Sequence, residues 1–225
     1  MKEHTTGKRE FVVGESNIDA WNDALRAAVF PDKFFNPLFI CGQSAVGKTL
    51  LLSIIGDVVR NRYPLLHVEQ TGTIELCDEI VEAICKDNIH EFLEKFSSID
   101  VLLVDDIQFV AEKIATQEEL FDIFSRVCDK GLLVITSDRP FEGQPLFLRM
   151  KERYKNLHVS CIHPADRKLR IAMIHGRASE TGLRLDDDFI QFIADNTSNS
   201  RQIDGMLNQL RAGKSKDHLI QEMGK

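Results

Sequence analysis

No stretch of this chain approaches the ~20 consecutive apolar residues that a membrane-spanning helix requires. Its first residues, Met1-Lys2-Glu3-His4-Thr5-Thr6, are polar where a secretory leader would be apolar, so neither a span nor a signal peptide is expected. Cysteine is sparse and unpatterned: Cys41, Cys77, Cys85, Cys128 and Cys161 make an odd five with no C-x-x-C spacing, and most fall in apolar runs. They read as reduced core residues of a cytosolic protein and not as zinc ligands. A basic excess is lacking too. Lysine and arginine number 28 against 35 acids, a net charge of −7, which argues against strong nonspecific binding of duplex DNA, although charge can be local. There is no internal repeat and no low-complexity segment. With 225 residues and 43% hydrophobic content the chain is globular, one large domain or a large one with a small one.

What is present begins with Gly42-Gln43-Ser44-Ala45-Val46-Gly47-Lys48-Thr49, which fits G-x-x-x-x-G-K-[ST]. The apolar run Leu38-Phe39-Ile40-Cys41 before it reads as a buried strand, and Leu50 to Val59 after it as a helix apolar on nearly every side. Strand, loop and helix N-terminus together aim backbone N–H groups and the positive end of a helix dipole at anionic oxygens. Lys48 would reach the β- and γ-phosphates of a nucleoside triphosphate, and the Thr49 hydroxyl would ligate Mg²⁺.

A second apolar run, Val101-Leu102-Leu103-Val104, suits a central parallel strand and ends in Asp105-Asp106. Ligands of open α/β sheets bind at that carboxyl edge. Asp105 would hold Mg²⁺ directly or through water, and Asp106 would orient or deprotonate an attacking water. A third run, Leu132 to Ile135, ends in the polar tip Thr136-Ser137-Asp138-Arg139, from which a side chain can sense the γ-phosphate or align the water. Between these strands a helix is expected, with Thr116 as N-cap, Glu119 closing a capping box and Gly131 as its stop. Strands and helices alternate through the first 160 or so residues, the pattern of a parallel sheet wound with helices.

His163-Pro164-Ala165-Asp166 breaks the pattern. Helices are expected from Arg167 to Glu180, Asp186 to Asp195 and roughly Ser198 to Leu210, with no strand signal after about residue 161. Arg201, on the polar opening of the last helix, could reach back towards the phosphates. Residues 211–225 read as a basic tail, either DNA-facing or simply solvated.

Phe11 to Asn17, Asn36 to Ile40, Asp105-Asp106-Ile107-Gln108-Phe109, Thr116 to Glu119 and Thr136 to Pro140 resemble the AAA+ domain of the bacterial replication initiator DnaA. The resemblance runs from about Phe11 to Leu210. It implies an α/β fold: a P-loop AAA+ Rossmann-like parallel-sheet base over 1–162, a helical lid over 163–212 and a tail over 213–225, with ATP or ADP and Mg²⁺ between base and lid. It further implies that Val13 and Asn17 lie beside the adenine, that Asp138 is the first sensor and that Arg201 is the second. Arg153 matches the arginine finger that meets the γ-phosphate in a neighbouring subunit, and Arg149 an arginine one turn earlier. On the residues alone, Arg149 and Arg153 equally fit a solvated cluster with Lys151 and Lys155.

Four departures bear on function. The family's loop usually carries glycine where this chain has Gln43 and Ala45. The family's insert that contacts single-stranded DNA is basic, whereas residues 71–96 here hold seven acids and two bases, a net −5. Ala115 stands where a basic residue is expected, and the chain ends at Lys225 without the helix-turn-helix domain that reads origin boxes. Two functions therefore stand: an initiator-type ATP switch that assembles ATP-dependently on DNA and hydrolyses slowly in the cytoplasm, or an Hda-like regulator whose Arg153 acts on another AAA+ protein. A small-molecule kinase would explain the phosphate loop but not the sensor-like arginines.

Overall fold

Five parallel strands form the sheet of the larger of this chain's two compact units. They are seen in a computed structural model that describes residues 5–6, 9–31, 35–110, 114–140 and 145–223. The chain opens with a two-residue antiparallel pair, β1 (Thr5–Thr6) with β2 (Arg9–Glu10). Helix α1 (Ile18–Val29) follows, then β3 (Leu38–Cys41), α2 (Lys48–Arg62), β4 (Val68–Gly72), α3 (Thr73–Cys85), α4 (Ile89–Lys95), β5 (Val101–Asp105), α5 (Ile114–Cys128), β6 (Leu132–Ser137), α6 (Pro145–Arg153) and β7 (His158–Cys161). Strand order is β4-β5-β6-β3-β7, all parallel. Helices α7 (Arg167–Thr181), α8 (Asp187–Asp195), α9 (Ser200–Arg211) and α10 (Lys216–Met223) complete the chain.

The chain forms two compact units, and the division is not a single cut. One unit comprises Asp19–Gly42 and Lys48–Ile162; the other comprises Met1–Ile18, Gln43–Gly47 and His163–Lys225. In the first, β3, β6 and all but the last residue of β5 are buried because helices cover both faces, the reason these strands read as nearly continuous apolar runs and not as alternating ones. Phe39, Phe121, Phe124, Phe147 and Leu102 lie at its centre. Burying each such side chain contributes roughly 1.5–3 kcal/mol. In the second unit, Ile174, Phe189, Ile193, Ile203 and Leu207 form a separate core. Its helices start where short polar side chains can cap them: Asp166 accepts from Leu169 N–H, Asp186 from Phe189 N–H and Asn199 from Gln202 N–H.

Some expectations differ from the structure. Helix α5 begins at Ile114, so Thr116 lies inside its first turn, buried, and does not cap it. Residues 111–113, and the Ala115 side chain, lie outside the described residues. Cys41 and Cys161 are not independent core thiols: parallel register sets them side by side on β3 and β7, with Cα atoms 4.7 Å apart, and they are joined as a disulfide. Cys77, Cys85 and Cys128 are not joined in disulfides. The expected tail instead holds α10, whose Leu219 is buried in the second unit's core. Among the described residues no helix is long and apolar enough to cross a membrane.

Candidate functional site

The loop after β3 is bent by its own residues. Gly47 has φ +109°, and a Cβ there would come within 3.1 Å of the Phe11 ring, so only glycine fits. Ala45 sits at φ 62°, a left-handed position where the family's glycine would be unstrained. The crest Gln43–Gly47 counts with the second unit and the ends with the first.

In the first unit the loop starts where Gly42 N–H donates to the Ser137 carbonyl at the end of β6 (3.1 Å). Lys48 opens α2 and is 5% exposed; its Nζ donates to the Gly42 carbonyl at 2.9 Å. Burial lowers the affinity of this amine for its proton, while the carboxylates of Asp106, Asp138 and Asp105 oppose that shift by attraction.

The two residues proposed to hold Mg²⁺ are together: Thr49 Oγ1 donates to Asp105 Oδ2 at 2.7 Å. Thr136 hydroxyl donates to the other Asp105 oxygen and accepts the Asp106 N–H at 2.9 Å. Asp106 turns out of the strand at φ 59°. In the 3-10 turn Ile107–Val110 that follows, buried Gln108 donates from Nε2 to Asp106 Oδ1 (3.0 Å) and accepts the Asp138 N–H (3.1 Å). Among the described residues no three His, Cys, Asp or Glu side chains could hold a metal by themselves. One hydroxyl and one carboxylate suit Mg²⁺ completed by phosphate oxygens and water, since that ion keeps most of its ligands outside the protein.

In the second unit, Phe11 is buried and Asn17 knots the segment after it: Oδ1 accepts the Gly14 N–H at 2.8 Å and Nδ2 donates to the Val12 carbonyl at 3.0 Å. Val13 lies within this turn, half-buried. At the start of α9, Ser200 Oγ donates to the Ala45 carbonyl at 2.8 Å. Arg201, the next residue and exposed, is thereby placed beside the loop crest.

Arg149 and Arg153 lie one turn apart on α6. Arg149 pairs with Glu118 and donates to Gln117 Oε1 at 2.7 Å; Arg153 donates to Asp122 Oδ1 at 2.8 Å and Ser125 Oγ at 3.2 Å. Both guanidinium groups lie over the Phe121 ring, at 5.0 and 5.7 Å, and with Glu152 they line an open cleft of about 430 Å³. Both side chains reach from α6 to partners on α5 and stay about a third exposed. The acidic insert is helices α3 and α4, and all seven of its acids are exposed. Lys86 is engaged by Glu82, and Lys95 lies 5.0 Å over the Phe92 ring.

Sequence reasoning missed Thr136, Gln108 and Ser200 as parts of the site. The signal for Gln108 was available: an amide inside the apolar stretch Ile107 to Val110, two residues from a functional acid.

Comparison with known proteins follows the geometry. The model of the bacterial DnaA ATPase domain matches residues 3–159. The chromosomal replication initiator protein DnaA of Thermus thermophilus is 38% identical over 200 residues, covering 88% of this chain and 46% of the relative. The chain thus spans just under half the length of such relatives. Domain III of the Thermotoga maritima replication initiation protein DnaA superposes with a TM-score of 0.83 at 30% identity, over 93% of this chain and 92% of that one. A replication initiator DnaA bound to AMPPCP and single-stranded DNA superposes with a TM-score of 0.85 at 29% identity, over 94% of this chain and 66% of that one.

Proposed function

Because the chain belongs to the bacterial DnaA ATPase-domain family, we propose that it is an ATP-binding switch that assembles on single-stranded DNA when ATP is bound and hydrolyses ATP slowly. The observation that carries this reading is the meeting of Thr49 with Asp105 at 2.7 Å beside the buried Lys48. Gly42, Ala45, Val46 and Gly47 would line the phosphates with backbone N–H groups, Lys48 would neutralise their charge, and Thr49 and Asp105 would hold Mg²⁺, which when bound would supply further neutralisation of phosphate charge. Val13 and Asn17 border the base, Asp138 and Arg201 sense the γ-phosphate, and Asp106 holds the attacking water.

Arg153 serves the site of a neighbouring molecule, so an isolated chain turns ATP over slowly. A guanidinium offered in this way couples ATP occupancy to assembly, because ADP lacks the group it meets. Similarity to replication initiators favours this function over the regulator alternative, in which Arg153 would act on another AAA+ protein. The exposed acids of α3 and α4 weaken the hold on DNA phosphates, so affinity for single strands is modest and falls with added salt. The work is cytoplasmic.

Fluorescence anisotropy of a labelled single-stranded oligonucleotide tests the reading, with Mg²⁺ and either ATP or ADP. Binding is expected with ATP only. Absence of binding in both states would remove DNA from the function and return the weight to the regulator. Lys48→Ala is expected to abolish binding of a fluorescent ATP analogue; undiminished affinity in that variant would sink the site.

A further inference from the structure

Gln108 is 8% exposed, and its single amide is used at both ends. Nε2 donates to Asp106 Oδ1 at 3.0 Å, and Oε1 accepts the backbone N–H of Asp138 at 3.1 Å. Asp106 follows the end of β5, and Asp138 follows the end of β6. One planar group therefore spans the tips of two neighbouring strands, joining the acid assigned to the water and the acid assigned to sensing. By bonding Oδ1, Gln108 fixes the plane of the Asp106 carboxylate. The backbone of Asp106 is held as well, through its N–H to Thr136 Oγ1 at 2.9 Å.

We propose that Gln108 is a positioning residue for hydrolysis: it turns the Asp106 carboxylate towards the attacking water and ties that orientation to the place of Asp138. This rests on the reading of the chain as an ATPase that uses Asp106. The chemistry requires an amide. Glutamine offers a donor to the carboxylate and an acceptor to the N–H from one rigid group. Glutamate keeps the acceptor but sets a second carboxylate against Asp106, and methionine, of similar volume, loses both bonds. A shift of Asp138 is passed to Asp106 only while the amide is intact.

The test measures single-turnover hydrolysis of Mg·ATP, with protein in excess, together with ATP and ADP affinity and thermal melting. It compares wild type with Gln108→Glu, Gln108→Met, Asp106→Asn and the double variant Gln108→Met/Asp106→Asn. Both Gln108 variants are expected to slow hydrolysis by roughly tenfold to a hundredfold, the usual effect of misplacing a reacting group by about 1 Å. ATP affinity should stay within about twofold of wild type. Adding Gln108→Met to Asp106→Asn should slow the reaction no further, because the effect passes through Asp106.

Wild-type turnover in the Gln108 variants overturns the proposal, and so does a double variant in which the two losses multiply. If Gln108→Met fails to fold, Gln108→Glu decides alone, since it keeps the bond to Asp138. A wild-type chain that binds ATP but never hydrolyses it overturns this inference and spares the nucleotide site; a chain that binds no ATP overturns the proposed function itself.

Discussion

Ala45 pays for its place at φ 62°, where Cβ crowds the following carbonyl oxygen, a cost of roughly 1–2 kcal/mol that glycine avoids. Glycine loses more entropy on folding, which returns part of the difference. Ala45→Gly is therefore expected to stabilise the protein by about 0.5–1 kcal/mol, seen as a higher melting temperature with ATP affinity unchanged or improved. A lower melting temperature would show that the alanine methyl makes packing contacts worth more than the strain. Asp106 and Asp87 take left-handed backbone at φ 59° and 55° at less cost, because aspartate tolerates that region. Lys48 lives at the same scale: its burial lowers its hold on the proton, and the charges of Asp106, Asp138 and Asp105 offset part of that shift.

Helices α7, α8 and α9 were legible almost to the residue because their ends carry their own chemistry. Asp166, Asp186 and Asn199 each accept an N–H three residues on. Two acids here also give the second unit an acid-sensitive edge. The Lys216 ammonium and then the Phe189 N–H hold the Asp186 carboxyl below its ordinary range, and Arg167 does the same for Asp195. A depressed folded-state value means that these contributions are complete above the unfolded range, near pH 4, and are lost as pH falls through the lower folded values. Protection of the α8 amides relative to their intrinsic exchange rate is accordingly expected to fall as the solution is taken below about pH 4, sooner than that of β5, which carries no such pair. Lys216→Ala should flatten that dependence; an unaltered profile would remove the Lys216 contact from the account. Helix α5 was less legible. Its Thr116 and Glu119 match a capping pattern, but the helix starts before them, and a motif by itself does not say which turn it occupies.

Across the whole molecule the decisive question is assembly. Arg153 reaches from α6 to Asp122 and Ser125 on α5 and remains about a third exposed. Exposed ion pairs of this kind are worth only about 0–1 kcal/mol, so a better anionic partner can draw the guanidinium away. Arg153→Ala is expected to leave ATP affinity unchanged and to remove ATP-dependent assembly in sedimentation velocity. Equal assembly by variant and wild type would show that Arg153 is no finger.

From the sequence alone came the phosphate loop, the apolar strands that flank it, the acid pair Asp105-Asp106 and the change to helices after residue 162. Each is a local pattern, written in neighbouring residues, and local patterns survive without knowledge of the fold. Only the tertiary structure brought Thr49 to Asp105 across 56 residues, Asp138 to Gln108 across 30, Ser200 to Ala45 across 155 and Cys41 to Cys161 across 120. Parallel strands must be joined by crossovers, so residues that share a register lie far apart in the chain. The order β4-β5-β6-β3-β7, and not any spacing in the sequence, decides which side chains meet.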